Sequence, residues 1–231
     1  MLEFAFMRKA LVAGFLLAIM IPMIGIIMVN RKTSMIGDAL SHTALSGVGL
    51  GLILGFDPLI GSAIVCVIAA FLIELIRKKF PQYGDMATAV IMSTGLGIAA
   101  ILSDFAPGGN SFESYLFGSI SSVTNMDVIN ISVIFVLILA VSISQYSGLL
   151  AISIDKNIAR LAGVKVNRIN AVFTFLSAIT IALAVKIVGA LMVTSLIVLP
   201  VATALIIAKS YKKTYSITII LGILYMMLGI V

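Results

Sequence analysis

Eight apolar runs, each close to the length needed to cross a bilayer, constrain this chain more than any other feature. They lie at 10–29, 36–56, 58–76, 86–103, 127–145, 169–185, 187–208 and 214–231. A hydrocarbon core about 30 Å thick takes roughly 20 helical residues. In that medium each segment must satisfy its own backbone N–H and C=O groups, so the runs predict helices. The expectation is an all-α, polytopic integral membrane protein with about eight transmembrane helices, one domain over 1–231. Composition agrees, since 61% of the residues are hydrophobic and only 10% are charged. Soluble domains carry about 25% charged residues. A soluble enzyme is excluded, because so few polar groups cannot cover its surface. The first run is bilayer-length and no small-residue cleavage site follows it. It therefore reads as a retained span rather than a cleaved leader.

The connections give an orientation. Arg31 and Lys32 fall in one loop, and Arg77, Lys78 and Lys79 in the next but one. Lys156, Arg160, Lys165 and Arg168 follow, then Lys209, Lys212 and Lys213. These are alternate loops. Of the 15 basic residues, only Arg8, Lys9 and Lys186 fall on the other side. The positive-inside rule puts the four basic loops in the cytoplasm and the N-terminus outside. The net charge of +6 thus belongs to a membrane protein and its lipid, not to a nucleic-acid interface. Lys186 is expected to snorkel at the outer interface, and Glu74 to pair with Arg77 near the inner one.

Two short helices are expected outside the spans. The outer 104–125 connection contains Pro107-Gly108-Gly109-Asn110, and its second half, 112–120, is apolar enough for an interfacial or re-entrant helix. On the inner side, Asp155 is a good N-cap and Gly163 suits the position after a helix end. Ile158, Leu161 and Ala162 give this 155–163 helix a small apolar face.

Asp38 and His42 are the residues most able to carry chemistry. Ionisable groups inside a span are expensive and usually functional. Their i, i+4 spacing places them on one helix face, which Ser46 continues. Gly47, Gly51 and Gly55 centre roughly 160° away, a face small enough for close helix packing. His42 lies ten residues beyond Lys32, roughly 15 Å along the axis and so near the midplane, with Asp38 about 6 Å nearer the cytoplasm. Imidazole suits zinc and iron, and carboxylate suits manganese. One Asp and one His are too few for a tight site, but two copies in a symmetric dimer would supply four N/O ligands. A second reading of the same residues stands beside this one. His42 would hydrogen-bond to a neighbouring helix, and Asp38 would cap its own. Pro200 would kink the seventh span and expose pathway-lining backbone. The twelve Met residues are scattered, and the lone Cys66 sits in an apolar run; both read as packing.

No Gly-Lys pair occurs, so the phosphate-binding loop ending in G-K-[ST] is missing and the chain is not expected to hydrolyse ATP itself. A single His excludes H-E-x-x-H, and nothing resembles a Ser–His–Asp triad. No catalytic residue and no cofactor of its own is assigned.

Residues 31–47, which contain Gly37-Asp38-Ala39-Leu40-Ser41-His42 and end at Gly47, resemble the G-D-A-L-S-H-A…G signature of the zinc/manganese/iron ABC importer permeases. The segment 155–164, ending Ala159-Arg160-Leu161-Ala162-Gly163-Val164, is similar to that family's cytoplasmic coupling segment. Val188-Gly189-Ala190-Leu191-Met192-Val193 through Leu199-Pro200-Val201-Ala202-Thr203-Ala204 is similar to its late V-G-x-L-L-V…L-P-A-A-T-A span. The resemblance covers essentially the whole chain. It implies the membrane subunit of a prokaryotic plasma-membrane importer that dimerises and docks cytoplasmic ABC ATPases. It also implies receipt of a divalent metal ion from an extracytoplasmic binding protein. Asp38 and His42 would coordinate the metal, while Asp155, Ile158, Arg160, Leu161 and Gly163 would form the ATPase-coupling helix. Family members run longer, so a last segment beyond Val231 is expected to be missing. Two alternatives are kept: an ABC permease for iron–siderophore or cobalamin, and an ion-coupled secondary transporter with Asp38 and His42 as a proton relay.

Overall fold

The structure, a computed structural model, describes residues 5–106 and 109–230. Pro107 and Gly108, part of the expected outer turn, lie outside the described residues. Eleven α-helices are present among the described residues, with no strand. Eight are long: α1 (Ala5–Asn30), α2 (Met35–Leu54), α3 (Pro58–Lys79), α4 (Gly84–Phe105), α6 (Asn125–Ser144), α9 (Val166–Val188), α10 (Ala190–Ile207) and α11 (Tyr211–Ile230). Three are short: α5 (Gly109–Phe117), α7 (Tyr146–Ile154) and α8 (Lys156–Leu161). Six of the long helices, all but α2 and α11, are long and apolar enough to cross a membrane by length and composition.

α2 falls outside that measure because it carries Asp38, His42 and several Ser, Thr and Gly residues. It is packed between α3 and α4 and touches α9 and α10. Its polar residues are thus shielded by protein rather than by their own apolarity. The core is built on α1, α2 and α9, whose Leu17, Met20, Ile21, Leu40, Leu45 and Ile181 are fully buried. The outer faces of α3, α4 and α6 expose Ile64, Ile68, Leu75, Val90, Ile101 and Val136, as lipid-facing surfaces do.

Glycine sets the closest crossing. A Cβ on Gly47 of α2 would collide with the Gly61 carbonyl of α3, and one on Gly61 with the Gly47 carbonyl. Gly51 meets Pro58 in the same seam, 2.7 Å from where its Cβ would be. The small face expected on α2 therefore packs against α3. Gly55 departs from that expectation: it is the left-handed C-cap of α2 (φ 74°), with its N–H bonded to the Gly51 carbonyl, and nothing lies against it.

Several local expectations are revised. The outer short helix occupies 109–117 rather than 112–120, and it packs on α2, α9 and α10. α7 was not anticipated. Its sequence is as apolar as a span end, and only Gln145, with φ −106° and ψ 18°, separates it from α6. α8 follows the expectation closely. Asp155 caps it, accepting from the Asn157 and Ile158 N–H groups at 2.6 and 3.1 Å, and Gly163 (φ 81°) follows its end. α1 closes with Lys32 in the left-handed region (φ 54°), the Thr33 N–H returning 2.8 Å to the Met28 carbonyl. This 6→1 closure ends the helix.

Candidate functional site

α2 presents Asp38 and His42 one turn apart, as the i, i+4 spacing dictates. His42 Nε2 stands 3.5 Å from Asp38 Oδ1, with the two side chains 17% and 28% exposed. α10 supplies a third group. Thr194 Oγ1 donates to the same Asp38 Oδ1 at 2.8 Å. Gly37 faces α10 here, with Ile197 Cδ1 2.7 Å from where its Cβ would be. His42 Nδ1 is buried and has no hydrogen-bond partner.

This geometry does not support the capping role for Asp38. α2 begins at Met35, and Ser34 before it makes no side-chain cap. The carboxylate is instead directed towards His42 and Thr194. Its second oxygen takes no hydrogen bond among the described residues, so the pair retains unused acceptor capacity. Two ligands held at about 2.1 Å by one tetrahedral ion stand about 3.4 Å apart. The observed N···O separation is close to that, so one ion could bridge both groups with little rearrangement. Among the described residues no group of three or more His, Cys, Asp or Glu exists that could hold a metal. One chain therefore offers half of a conventional ligand set.

Ser46 lies on the same side of α2 but is 3% exposed, and its hydroxyl donates to the Thr43 carbonyl at 2.7 Å. Pro200 is buried within α10, where its missing N–H leaves the Leu196 carbonyl without its usual helical donor. Cys66 is buried, its thiol 3.3 Å from the Leu40 carbonyl. Thr194 is the residue that sequence reading missed. It directly follows the Val188–Val193 stretch, and a hydroxyl inside an apolar run was the available signal.

Two expected charge pairings differ. Lys186 does not snorkel; it sits in the last turn of α9 and pairs with Asp127 at 2.7 Å, both side chains largely buried. Glu74 forms no ion pair with Arg77 and instead accepts from Asn170 Nδ2 at 3.5 Å. α8 projects Ile158 (64% exposed) and Leu161 (89% exposed) beside Ile154 of α7. Asp155, Arg160 and Gly163 frame this uncovered apolar ridge.

The profile of the ABC 3 transport family matches residues 3–231. A Treponema pallidum protein named "Probable metal transport system membrane protein" is 35% identical over 231 residues, covering 100% of this chain and 87% of that protein. The high-affinity zinc uptake system membrane protein ZnuB of Haemophilus influenzae is 28% identical, covering 99% and 88%. The manganese import system permease protein ScaB of Streptococcus gordonii is 30% identical, covering 95% and 79%. Among solved structures, PsaBC from Streptococcus pneumoniae in complex with Fab superimposes with a TM-score of 0.87 at 28% identity, over 99% of this chain and 82% of that one.

Proposed function

The chain belongs to the ABC 3 transport family, and on that premise we propose that it is the membrane subunit of an ATP-driven importer of a divalent transition-metal ion. Zinc, manganese and iron all accept the mixed N/O ligation that Asp38 and His42 offer. The observation that carries the reading is the Asp38–His42 pair, 3.5 Å apart and braced by Thr194. Two copies related by a two-fold axis would bring two such pairs together and complete a four-ligand site for the cargo ion. Ligation by few groups suits a transport site, because an ion held too tightly would not leave.

In this reading ATP is hydrolysed by a separate cytoplasmic subunit. The exposed Ile158 and Leu161 of α8 would seat in a groove of that ATPase, and the basic Arg160 would meet its acidic surface. Alternating access would follow as the coupled helices tilt around the ion. The metal would arrive from an extracytoplasmic binding protein on the opposite face. Family membership supports this reading over an ion-coupled carrier, and direct Asp–His ligation supports a bare ion over a bulky chelate.

The test is the zinc, manganese and iron content of cells lacking the permease but keeping its ATPase and binding protein. Restoration of one metal by this chain, and not by an equally abundant Asp38→Ala/His42→Ala variant, is the expected outcome. Equal restoration by both would sink the proposed site.

A further inference from the structure

A second polar site lies on the opposite side of α2 from the Asp–His pair, at the end of the bundle that carries the basic loops. It is a cavity of about 490 Å³ between the ends of α1, α2, α3, α8 and α9. Arg31, Arg77, Lys78, Lys156 and Arg160 line it, against the single carboxylate of Glu74. None of these five cations is ion-paired within 4 Å. The ion pairs among the described residues are Asp127–Lys186 and Asp38–His42. Glu74 is occupied by Asn170, whose other amide atom accepts from Arg31 Nη2, so the amide stands between the two charges.

Two buried polar groups are left over. Arg31 Nε has no hydrogen-bond partner, and neither has Ser177 Oγ, which lines the cavity on a residue 1% exposed. Buried polar atoms are nearly always satisfied, so unpartnered donors on two residues that line one cavity point to a missing acceptor beside them. The ionisation of the rim agrees. Burial pulls the Lys156 ammonium below its ordinary range, and repulsion from Arg31 adds to it; burial does the same to the Arg31 guanidinium. Three guanidinium groups suit a planar or tetrahedral oxyanion, which they bind with forked hydrogen bonds.

We infer that this cavity binds a phosphate oxyanion, presented by the headgroup of an anionic phospholipid of the cytoplasmic leaflet. The shape of the lining favours a headgroup over a free ion. The rim at α8 is cationic, while Met28, Ile36, Leu40 and Phe173 make an apolar floor. Ser177 lies seven residues beyond Asn170, roughly 10 Å deeper along α9. A free phosphate would leave that floor uncovered, whereas the acyl carbons that a phospholipid carries beside its phosphate would cover it. A protein docking at α8 would meet Lys156 and Arg160 on the rim but not Ser177. Basic pockets between spans on the cytoplasmic side are a general means of holding such headgroups. The inference does not depend on which ion, if any, the chain transports.

The test uses the purified full chain, delipidated in detergent and offered phosphatidylglycerol, cardiolipin or phosphatidylcholine, with bound lipid read by native mass spectrometry. The expected result is retention of an anionic lipid over phosphatidylcholine by about tenfold or more, lost in Arg31→Gln/Arg77→Gln. A second measurement needs no variant: amine acylation of Lys156, compared with Lys212 and Lys213, should slow when the anionic lipid is added. Inorganic phosphate is the third arm. Slowing by phosphate without lipid retention keeps the oxyanion site but overturns the headgroup as its source. No lipid preference and no slowing by either overturns the site itself. Shielding of Lys156 by an added ATPase subunit alone overturns it in favour of an acidic protein side chain.

Discussion

Two acid–base pairs sit within the helical bundle, and their surroundings differ. Asp127 accepts from Lys186 with both oxygens, at 2.9 and 2.7 Å, and from the backbone and hydroxyl of Thr124, both at 2.8 Å. Its side chain is 7% exposed. It also closes the capping box that starts α6. Asp38 has one short hydrogen bond, from Thr194, and a longer contact with His42. It is four times as exposed, and its partner imidazole has a nitrogen to spare. A carboxylate whose lone pairs are filled by fixed donors holds helices together and has nothing left for an ion. One with lone pairs free is poor glue and a ready ligand. The first pair ties α6 to the last turn of α9; the second is the proposed transport site.

Breaking the filled pair should have the largest effect. Lys186→Met leaves Asp127 buried without its counter-charge, which typically costs about 3–5 kcal/mol. Thermal unfolding of the purified chain should show it, and the Asp127→Asn/Lys186→Met double variant should recover most of the loss. A single variant that melts like the parent would remove the distinction between the pairs.

The open pair should behave in the reverse way. His42→Ala should leave the melting temperature within about 2 °C of the parent. Metal uptake should nevertheless fall at least about tenfold, since even groups that only support metal ligands cost 10–100-fold when lost. Uptake and melting measured on one preparation separate the two effects. A large stability loss with uptake intact would make the pair structural.

Thr194→Val sharpens the comparison further. It removes the one short bond to Asp38 while keeping side-chain volume. Because the bond is to a charged group, worth about 1.5–3 kcal/mol, the half-saturating metal concentration should rise about tenfold or more, with little change in maximal uptake. Ser46→Ala should have the smallest effect, within about 0.5 kcal/mol in stability and without loss of uptake. Its hydroxyl is already spent on its own helix. A transport defect at Ser46 would extend the site beyond Asp38, His42 and Thr194.

Much of this architecture was legible because the bilayer is a demanding solvent. Apolar runs must be helices there, so the eight long helices could be placed to within a few residues. Asp155 and Gly163 bounded α8 for equally local reasons, a side-chain cap and a left-handed turn. The errors fell where the answer depended on distant partners. Lys186 looked like an interfacial lysine because Asp127 is 59 residues away in sequence. Glu74 looked like a partner for Arg77, yet its neighbour is Asn170, 96 residues on. Thr194 reaches Asp38 across 156 residues. Charge spacing within a helix carries no information about such pairs.

The sequence by itself therefore determined the helices and the face shared by Asp38 and His42. These follow from hydropathy and the helical repeat, both of which act over a few turns. Only the tertiary structure decided which charges are satisfied and which are left open. The Gly47–Gly61 crossing seats α2 against α3, and α10 brings Thr194 to within reach of Asp38. Helix approach on this scale depends on where two distant small residues coincide, and on what the buried polar groups then find opposite them.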